Sequence, residues 1–480
     1  MSWPLRLLIA AALAALGLAP LSASAATTPT TPIEHFVVLM QENHSFDNYF
    51  GTYPGADGHP KDACQPVSGA RPKGRCVEPF RIGSRAITDL SHNVDTFKAQ
   101  YNGGRMNGFV SAFEGLGPNK RLAMGYYDGR DIPYYWNLAD DYVLFDRFFT
   151  SAAGGSVWNH MFWISGTPGN PEVDGIPEDG FGDLPTIFDR LEAAGVSWKF
   201  YVQNYDPEVT YRNRGTGDKS AQVVWNPLLA YDRYLDDPKL FGKIVDLEEY
   251  YTDLQRGTLP AVSYIVPSGA SEHPPGSVRA GQRFVRTLIN SLARSTAWSS
   301  SAFMWTYDDW GGWYDHVRPP QVDRFGYGFR APALLVSPYA RRGHVDSTTL
   351  DFTSMLKFIE ENWGLAPLAR RDAQANNISS AFDFSQPPRL AEVVPATRRA
   401  ELIEESGRGV VYLAYAFSIL VATAIFALAL HSARRPHGRR LALSAGHGAG
   451  RTIIVDRQGE ANVSSNGGTR MRRLNGRGHR

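Results

Sequence analysis

Short, nearly uninterrupted apolar runs recur along this chain, and they constrain its fold more than any other feature. Five of them are FVVLM (36–40), WKFYV (198–202), AVSYIV (261–266), FMWTY (303–307) and ALLV (333–336). They are enriched in β-branched and aromatic residues and show no strict alternation with polar residues, which is typical of strands buried on both faces. The runs therefore predict a mainly parallel sheet.

Helical patterns lie between these runs. In LPTIFDRLEAAG, Asp183 is placed to cap a helix, Pro185 lies in the first turn and Gly195 ends it. Apolar residues at helical spacing recur later in the chain, at Phe284, Leu288 and Leu292 and again at Phe352, Met355, Leu356 and Ile359, before Gly364. Strands alternating with helices predict a single α/β domain over residues 27–384, with its ligand site beyond the carboxyl ends of the strands.

Polar residues follow three of the predicted strands at those ends. Glu42 and Asn43 come after FVVLM, Glu272 and His273 come shortly after AVSYIV, and Asp308 and Asp309 come directly after FMWTY. Any one of these residues alone is more often a helix cap or a turn residue. Two adjacent pairs that both end strands favour a shared site. Glu42, Asn43, Asp308 and Asp309 offer only oxygen donors, which suit a hard divalent cation.

The N-terminus of the chain has the features of an export signal. Residues 1–25 combine Arg6, an apolar stretch and Ala23-Ser24-Ala25, which predicts a cleaved signal peptide. A permanent N-terminal anchor is the alternative, although the apolar stretch is shorter than the ~20 residues that a membrane span needs.

Residues 409–430 predict a transmembrane helix, because the run from Val410 to Leu430 contains no charged residue. Four arginines, at 434, 435, 439 and 440, follow this run and place the C-terminus in the cytoplasm by the positive-inside rule. The domain is then extracytoplasmic, in the periplasm or at the cell surface. A buried core helix is the alternative. We expect a flexible linker over 385–408 and a basic, unfolded tail over 431–480.

The two cysteines and the net charge further narrow the classes of site and partner that this sequence fits. The two cysteines, Cys64 and Cys76, lie close together in a loop-like stretch, and in an oxidising compartment we expect them to pair. That pairing stabilises the fold by roughly 3 kcal/mol in the chain-entropy model. A zinc site at these cysteines is disfavoured, since the chain has no others. The formal net charge of +1 argues against a nucleic-acid partner.

Ser156 follows two glycines in SAAGGSVWNHMFWISGT (151–167). Glycines allow a tight turn that leaves a serine hydroxyl approachable, as a nucleophile must be. A Gly-Gly-Ser sequence is usually only a loop, and this one does not match the G-x-S-x-G elbow of α/β hydrolases, because Val157 and Trp158 follow the serine.

Taken together, five motifs in order resemble the bacterial phosphoesterase family of non-specific phospholipases C and related acid phosphatases. They are ENHSFDNYFG, HNVDTFKAQYNGGRMNGF, GGSVWNH, GTLPAVSYIVPSGASEHPPGSV and TYDDWGGWYDHV, and they span roughly residues 33–365. The resemblance implies an alkaline-phosphatase-like α/β/α sandwich that hydrolyses phosphate esters.

The resemblance also implies roles for individual residues. Glu42, Asn43, Asp308 and Asp309 would hold a divalent metal ion beside Ser156, whose oxygen would attack phosphorus and become transiently phosphorylated. His92 would lie near the bound phosphate, His273 would protonate the departing alcohol, and Asn159 would contact phosphate oxygens. Phosphoryl transfer needs these parts: an aligned nucleophile, a cation and an acid for the leaving group.

Several points stay open at this level. Phospholipase C members commonly carry Thr followed by Pro-Asn-Arg at the nucleophile, whereas Ser156 begins Ser-Val-Trp-Asn-His, so the substrate is either a phospholipid or a soluble phosphomonoester. An inactive binder of phosphate-bearing ligands is an alternative. A sulfatase or phosphonate hydrolase is another, although no Cys-x-Pro-x-Arg occurs. His35, His44 and His316 are candidates for structural roles, with substrate contact by His44 or a role in chemistry for His316 as alternatives.

Overall fold

The computed structural model describes residues 27–71, 73–83, 87–214, 221–398, 406–433, 453–455 and 461–463. The predicted signal peptide lies outside these residues. The chain forms two units, Met1–Arg399 and Ala400–Arg480.

An eight-stranded sheet forms the centre of the first unit. Its strands in chain order are β1 (His35–Gln41), β2 (Val143–Phe145), β3 (Trp198–Val202), β4 (Ile244–Asp246), β5 (Val262–Val266), β6 (Ser301–Tyr307), β7 (Ala333–Val336) and β8 (His344–Asp346). Their order across the sheet is β8-β2-β7-β6-β1-β5-β3-β4. Only β7 runs antiparallel to its two neighbours, and the other pairs are parallel. The prediction of a mainly parallel sheet is confirmed.

α-Helices lie between and after these strands in the chain. They are α1 (Phe46–Phe50), α2 (Val94–Tyr101), α3 (Pro133–Asp141), α4 (Ser156–Ser165), α5 (Ile187–Ala193), α6 (Gln222–Trp225), α7 (Asp232–Asp236), α8 (Pro238–Phe241), α9 (Glu248–Arg256), α10 (Val278–Ala293), α11 (Phe352–Asn362) and α12 (Arg370–Gln374). Two short strand pairs, Gln65–Pro66 with Cys76–Val77 and Phe80–Arg81 with Gly125–Tyr126, lie outside the main sheet.

Aromatic contacts show the three layers. On one face, the ring centre of Phe36 in β1 lies 4.9 Å from that of Phe358 in α11. Trp305 of β6 lies three residues beyond Ala302, the register partner of Phe36, so its side chain points to the opposite face. There its ring centre lies 4.2 Å from that of Tyr135 in α3. The domain is thus a helix, sheet and helix sandwich.

Helix α5 begins at a different cap from the predicted one. Thr186, not Asp183, is the N-cap: its hydroxyl accepts from the Asp189 backbone N–H, and the Asp189 carboxylate accepts from the Thr186 N–H. This reciprocal capping box satisfies two backbone donors at once, which a cap at Asp183 would leave to other partners.

The prediction of a flexible linker over 385–408 places the start of the linker too early in the chain. Val394 is buried, and the amide of Asn137 donates to the carbonyls of Pro395 and Thr397 at 3.0 and 2.9 Å. The Arg389 guanidinium donates to the carbonyls of Ser337 and Ala340. These hydrogen bonds fix residues 385–398 on the domain surface, so the domain extends to Arg398.

The second unit contains helix α13 (Ser406–Ala433). Its segment Leu413–His431 has a mean hydropathy of 2.3 and exposed side chains, and it is the one helix of the described residues that is long and apolar enough to cross a membrane. Within the tail predicted to be unfolded, Ile453–Val455 pairs antiparallel with Ala461–Val463.

Cys64 and Cys76 form a disulfide, with their Cα atoms 5.6 Å apart. The predicted pairing is confirmed.

Candidate active site

Two parallel strands bring the predicted metal ligands together. β1 and β6 are neighbours in register, with Gln41 opposite Tyr307, so the residues that follow them start adjacent loops. The backbone N–H of Asn43 donates to Oδ1 of Asp308 at 3.0 Å. Residues 265 positions apart in the chain therefore meet at the carboxyl edge of the sheet.

Unusual backbone conformations allow the loops after β1 and β6 to pack closely together. Asn43 has a φ of 67°, in the left-handed region that few residues adopt without support. Gly311 approaches it so closely that a Cβ atom there would lie 2.2 Å from the Asn43 carbonyl oxygen. The glycine after the Asp308-Asp309 pair is required for the two loops to pack.

The three carboxylates at this edge are fully desolvated. Glu42, Asp308 and Asp309 are each at most 1% exposed. Burial, followed by repulsion from Asp308 and Asp309, raises the pKa of Glu42 well above its ordinary value. Burial and the charge of Asp308 likewise raise the pKa of Asp309. Within the described part of the chain, no lysine or arginine forms an ion pair with any of the three.

The donor atoms fit a divalent cation. Oδ1 of Asn43 and Oδ2 of Asp308 are buried and have no hydrogen-bond partner among the described residues. Buried oxygens without partners are costly, and a cation satisfies them while relieving the repulsion between the carboxylates. Oxygen donors of this kind suit a hard metal ion.

Ser156 stands at the entrance to the same cluster. It is the first residue of α4 and is half-buried, with its Oγ 3.4 Å from Oδ2 of Asp309. It lines a cavity of about 400 Å³ together with His92 and Asp174. The Asp174 carboxylate accepts from the backbone N–H groups of Gly155 and Trp158, which fixes the turn that presents the hydroxyl. Nothing in the sequence pattern singled out Asp174.

The two predicted histidines lie side by side. Nδ1 of His92 lies 2.7 Å from the Leu90 carbonyl and must donate to it, which leaves Nε2 to accept from the Asn43 amide at 3.2 Å. This Nε2 is 4.0 Å from Oδ2 of Asp309. The ring centre of His273 lies 5.8 Å from that of His92, and both side chains are half-buried.

The Phosphoesterase family profile matches residues 33–366. The chain belongs to the Phosphoesterase family. Phospholipase C A of Mycobacterium tuberculosis is 31% identical over 423 residues, which cover 75% of this chain and 78% of that protein. Non-hemolytic phospholipase C of Burkholderia pseudomallei is 30% identical over 74% of this chain and 59% of that protein.

Among solved structures, a protein of the alkaline phosphatase superfamily from Vibrio parahaemolyticus is 13% identical, with a TM-score of 0.37, and the match covers 74% of this chain and 73% of that one. Family membership confirms the resemblance seen in the sequence and the prediction that the chain is a hydrolase of phosphoric esters.

Asn159, a predicted site residue of this phosphoesterase, uses its side chain for hydrogen bonds within the protein. Asn159 is fully buried, its Oδ1 accepts from the Ala152 N–H at 2.9 Å, and its Nδ2 donates to the carbonyls of Gly154 and Gly155. Its side chain is thus committed to the loop before Ser156. The expectation that Asn159 contacts phosphate oxygens is corrected to a positioning role.

His160, like Asp174, is a residue near the site that the sequence interpretation missed. It lies one helical turn after Ser156, is fully buried, and its Nε2 lies 3.3 Å from Oε1 of Glu42 and 3.9 Å from Oδ2 of Asp308. Burial lowers its pKa to about 4. The spacing of four residues from a helical nucleophile was the available signal, because residues at i and i+4 share a helix face.

Glu272 anchors the loop that carries His273. Its buried carboxylate accepts hydrogen bonds from the hydroxyls of Tyr49, Tyr135 and Tyr307. Burial raises the pKa of Glu272 to about 7, although the tyrosine donors oppose the rise. Glu272 therefore holds the loop and does not line the cavity with Ser156.

The remaining candidate histidines have structural contacts. His44 is fully buried between the Asn48 side chain and the Glu272 carbonyl, and burial lowers its pKa to about 4. His35 lies at the start of β1, the opposite end from the site, with Nδ1 3.1 Å from the Pro260 carbonyl.

His316 bridges two carboxylates, with Nδ1 2.7 Å from Asp47 and Nε2 3.2 Å from Asp57. Hydrogen bonding to Asp47 raises its pKa against the opposing effect of burial. The buried Arg330 guanidinium joins the same network by donating to Asp47 and Asp315. This network ties the loop after β6 to α1, the structural role that was one of the two predicted for His316.

Proposed function

We propose that this phosphoesterase hydrolyses phosphate esters through a phosphoserine intermediate on Ser156, with a divalent metal ion held by Glu42, Asn43, Asp308 and Asp309. The observation that carries the proposal is the 3.4 Å separation between Oγ of Ser156 and Oδ2 of Asp309 at the wall of an accessible cavity. When bound, the cation supplies positive charge to the phosphate oxygens and favours the ionised serine.

We assign the other steps of the reaction to residues of the chain. Ser156 Oγ attacks phosphorus, so that a new P–O bond forms as the bond to the leaving alcohol breaks. The N-terminus of α4 carries partial positive charge at this point, which favours a phosphate group. Water then cleaves the phosphoserine and frees Ser156.

We assign the protonation of the leaving oxygen to His273. Its Nδ1 lies 2.7 Å from the Pro274 carbonyl, which leaves Nε2 to carry the proton for transfer. His92 lies beside it and, through its contact with Asn43, links the phosphate side of the cavity to the metal ligands.

The relatives named phospholipase C support a phosphodiester of a phospholipid as the substrate class. A soluble phosphomonoester is the second candidate, because the open cavity at Ser156 does not require a lipid. We further propose that the chain is exported by residues 1–25 and anchored by α13, with the domain outside the cytoplasm. The apolar segment Leu413–His431 supports this arrangement.

The test uses the full-length chain purified in detergent. Hydrolysis of p-nitrophenyl phosphate and of phosphatidylcholine micelles is compared across pH 5 to 8 with Mg²⁺, Ca²⁺, Mn²⁺ or Zn²⁺ supplied. We expect turnover of at least one substrate, loss of nearly all of it in Ser156→Ala, and phosphate on the Ser156 peptide in acid-quenched protein analysed by mass spectrometry.

Absence of turnover with every metal and substrate contradicts the enzyme proposal, and full activity in Ser156→Ala contradicts the nucleophile. If the wild type is inactive but binds phosphate-bearing ligands, and Ser156→Ala binds them equally well, the alternative of a binder is supported. The ratio of kcat/KM for the two substrates decides between the phospholipid and the phosphomonoester.

A further inference from the structure

We propose that the His160 imidazole is a direct ligand of the metal ion, so that the site has mixed nitrogen and oxygen coordination. This inference rests on the proposed metal site and adds a ligand to the four oxygen donors that the strand ends provide.

The distances carry the proposal. Nε2 of His160 lies 3.3 Å from Oε1 of Glu42 and 3.9 Å from Oδ2 of Asp308, and all three atoms lie within 4.8 Å of one another. Two ligand atoms that are each ~2.1 Å from one ion lie roughly 3 to 4.2 Å apart, depending on the angle between them. One ion can therefore contact the imidazole and both carboxylates.

The contacts of these atoms point to the same conclusion. Oδ2 of Asp308 is buried and has no hydrogen-bond partner among the described residues, and it faces Nε2 of His160. In the metal-free protein Nε2–H of His160 can donate to Oε1 of Glu42, whereas a cation between the three groups attracts the Nε2 lone pair and both carboxylates. Nδ1 of His160 is buried without a hydrogen-bond partner among the described residues, which leaves Nε2 as the ring nitrogen that faces the carboxylates.

The location of His160 on α4 adds a mechanical argument. Ser156 and His160 are one turn apart on the same helix. A metal bond to His160 would fix that helix relative to Glu42 and Asp308, and would hold the Ser156 hydroxyl at a set distance from the ion. An imidazole ligand also shifts the preference of the site from Ca²⁺ and Mg²⁺ toward metals such as Fe²⁺ or Zn²⁺.

Pulsed EPR of the full-length chain loaded with one equivalent of Mn²⁺ tests the proposal directly. We expect the hyperfine coupling of a directly bound nitrogen in the wild type, replaced by a ¹⁵N coupling when histidine is labelled with ¹⁵N. The coupling should disappear in His160→Gln and, at saturating Mn²⁺, persist in His92→Gln, which removes the other histidine beside the metal ligands. Equilibrium dialysis should show a loss of Mn²⁺ affinity of roughly 10- to 100-fold in His160→Gln.

The outcomes separate this inference from the proposed function. Bound Mn²⁺ without nitrogen coupling in the wild type, or coupling that persists in His160→Gln, overturns the assignment of His160 but leaves the oxygen site intact. Failure of the wild type to bind any divalent metal overturns both. In the wild type the labelling measurement shows whether the bound nitrogen belongs to a histidine, and coupling that persists in His92→Gln then excludes the other histidine beside the ligands, even where His160→Gln does not fold.

Discussion

The Nδ2 amide of Asn43 lies 3.2 Å from Nε2 of His92, and this contact orients a candidate metal ligand. Because the Leu90 carbonyl takes the Nδ1 proton of His92, Nε2 is an acceptor and draws the amide nitrogen toward it. The carbonyl oxygen of Asn43 must then point the other way, where it is buried without a partner among the described residues.

Replacing His92 by alanine should weaken metal binding although His92 is not a proposed ligand. The freed Asn43 amide can rotate, so we expect a fall in metal affinity of roughly 10- to 100-fold, the usual effect of losing a group that orients a ligand. Isothermal titration with Mn²⁺ measures the change. In the matched control, His273→Ala, affinity should stay within a few-fold, and an equal loss in both variants would contradict the link through Asn43.

Replacing Asp309 by asparagine should stabilise the metal-free protein at neutral pH. The pKa values of Glu42 and Asp309 are raised, so their ionisation opposes folding, and metal-free wild-type protein should lose stability as pH rises from the unfolded pKa values through the folded ones. The substitution Asp309→Asn removes one of the repelling charges.

Thermal unfolding with and without metal measures both effects. A metal at 100 times its dissociation constant adds ~2.7 kcal/mol to wild-type stability, and we expect much less in Asp309→Asn. A metal-free variant that is less stable than metal-free wild type would show that the hydrogen bonds of the Asp309 carboxylate outweigh the repulsion between the carboxylates.

Glu272 should make stability depend on pH near neutrality. Its folded pKa of about 7 lies above its ordinary value of 4.5, so its stabilising contribution is complete below the ordinary value and is lost as pH rises through about 7. Relative to Glu272→Gln, the wild type should lose roughly 3 kcal/mol of unfolding free energy over this interval. Urea unfolding of both proteins at several pH values checks the difference, and a constant difference would exclude the effect.

Replacing Arg330 by methionine should destabilise the domain by about 3 to 5 kcal/mol, because it removes the guanidinium that pairs with two buried carboxylates. The Arg330 side chain and the Asp47 and Asp315 carboxylates it contacts are all fully buried. Chemical denaturation measures the loss. Arg212→Met is the control, since Arg212 pairs with Asp232 and Asp236 at the exposed surface and its loss should cost at most about 1 kcal/mol. Equal losses would refute the role of burial.

The sequence predicted the strands that are long enough to show a pattern. The five apolar runs correspond to β1, β3, β5, β6 and β7, whereas β2, β4 and β8 have three residues each and give no usable periodicity. The antiparallel direction of β7 was also unpredictable, because burial on both faces leaves the same apolar run whichever way a strand points.

Within the site, prediction succeeded where residues follow strands and failed where the contact depends on helix packing. Glu42, Asn43, Asp308 and Asp309 meet because two neighbouring strands end together. His160 reaches the same point only through the packing of α4 beside Glu42, and Asn159 turns to the loop before Ser156, where it accepts from the Ala152 N–H. The spacing of four residues puts His160 on the same helix face as Ser156, but it does not encode where that face packs or that Asn159 turns to the loop.

The contacts of residues 385–398 decide where the chain can be shortened. A protein that stops at Arg398 keeps the carbonyl partners of Asn137 and the burial of Val394, whereas one that stops at residue 384 exposes the surface beneath both. Crystallisation of the domain without α13 should therefore start from the protein that ends at Arg398. The shorter protein would expose surface that is normally covered and could associate with other copies through it.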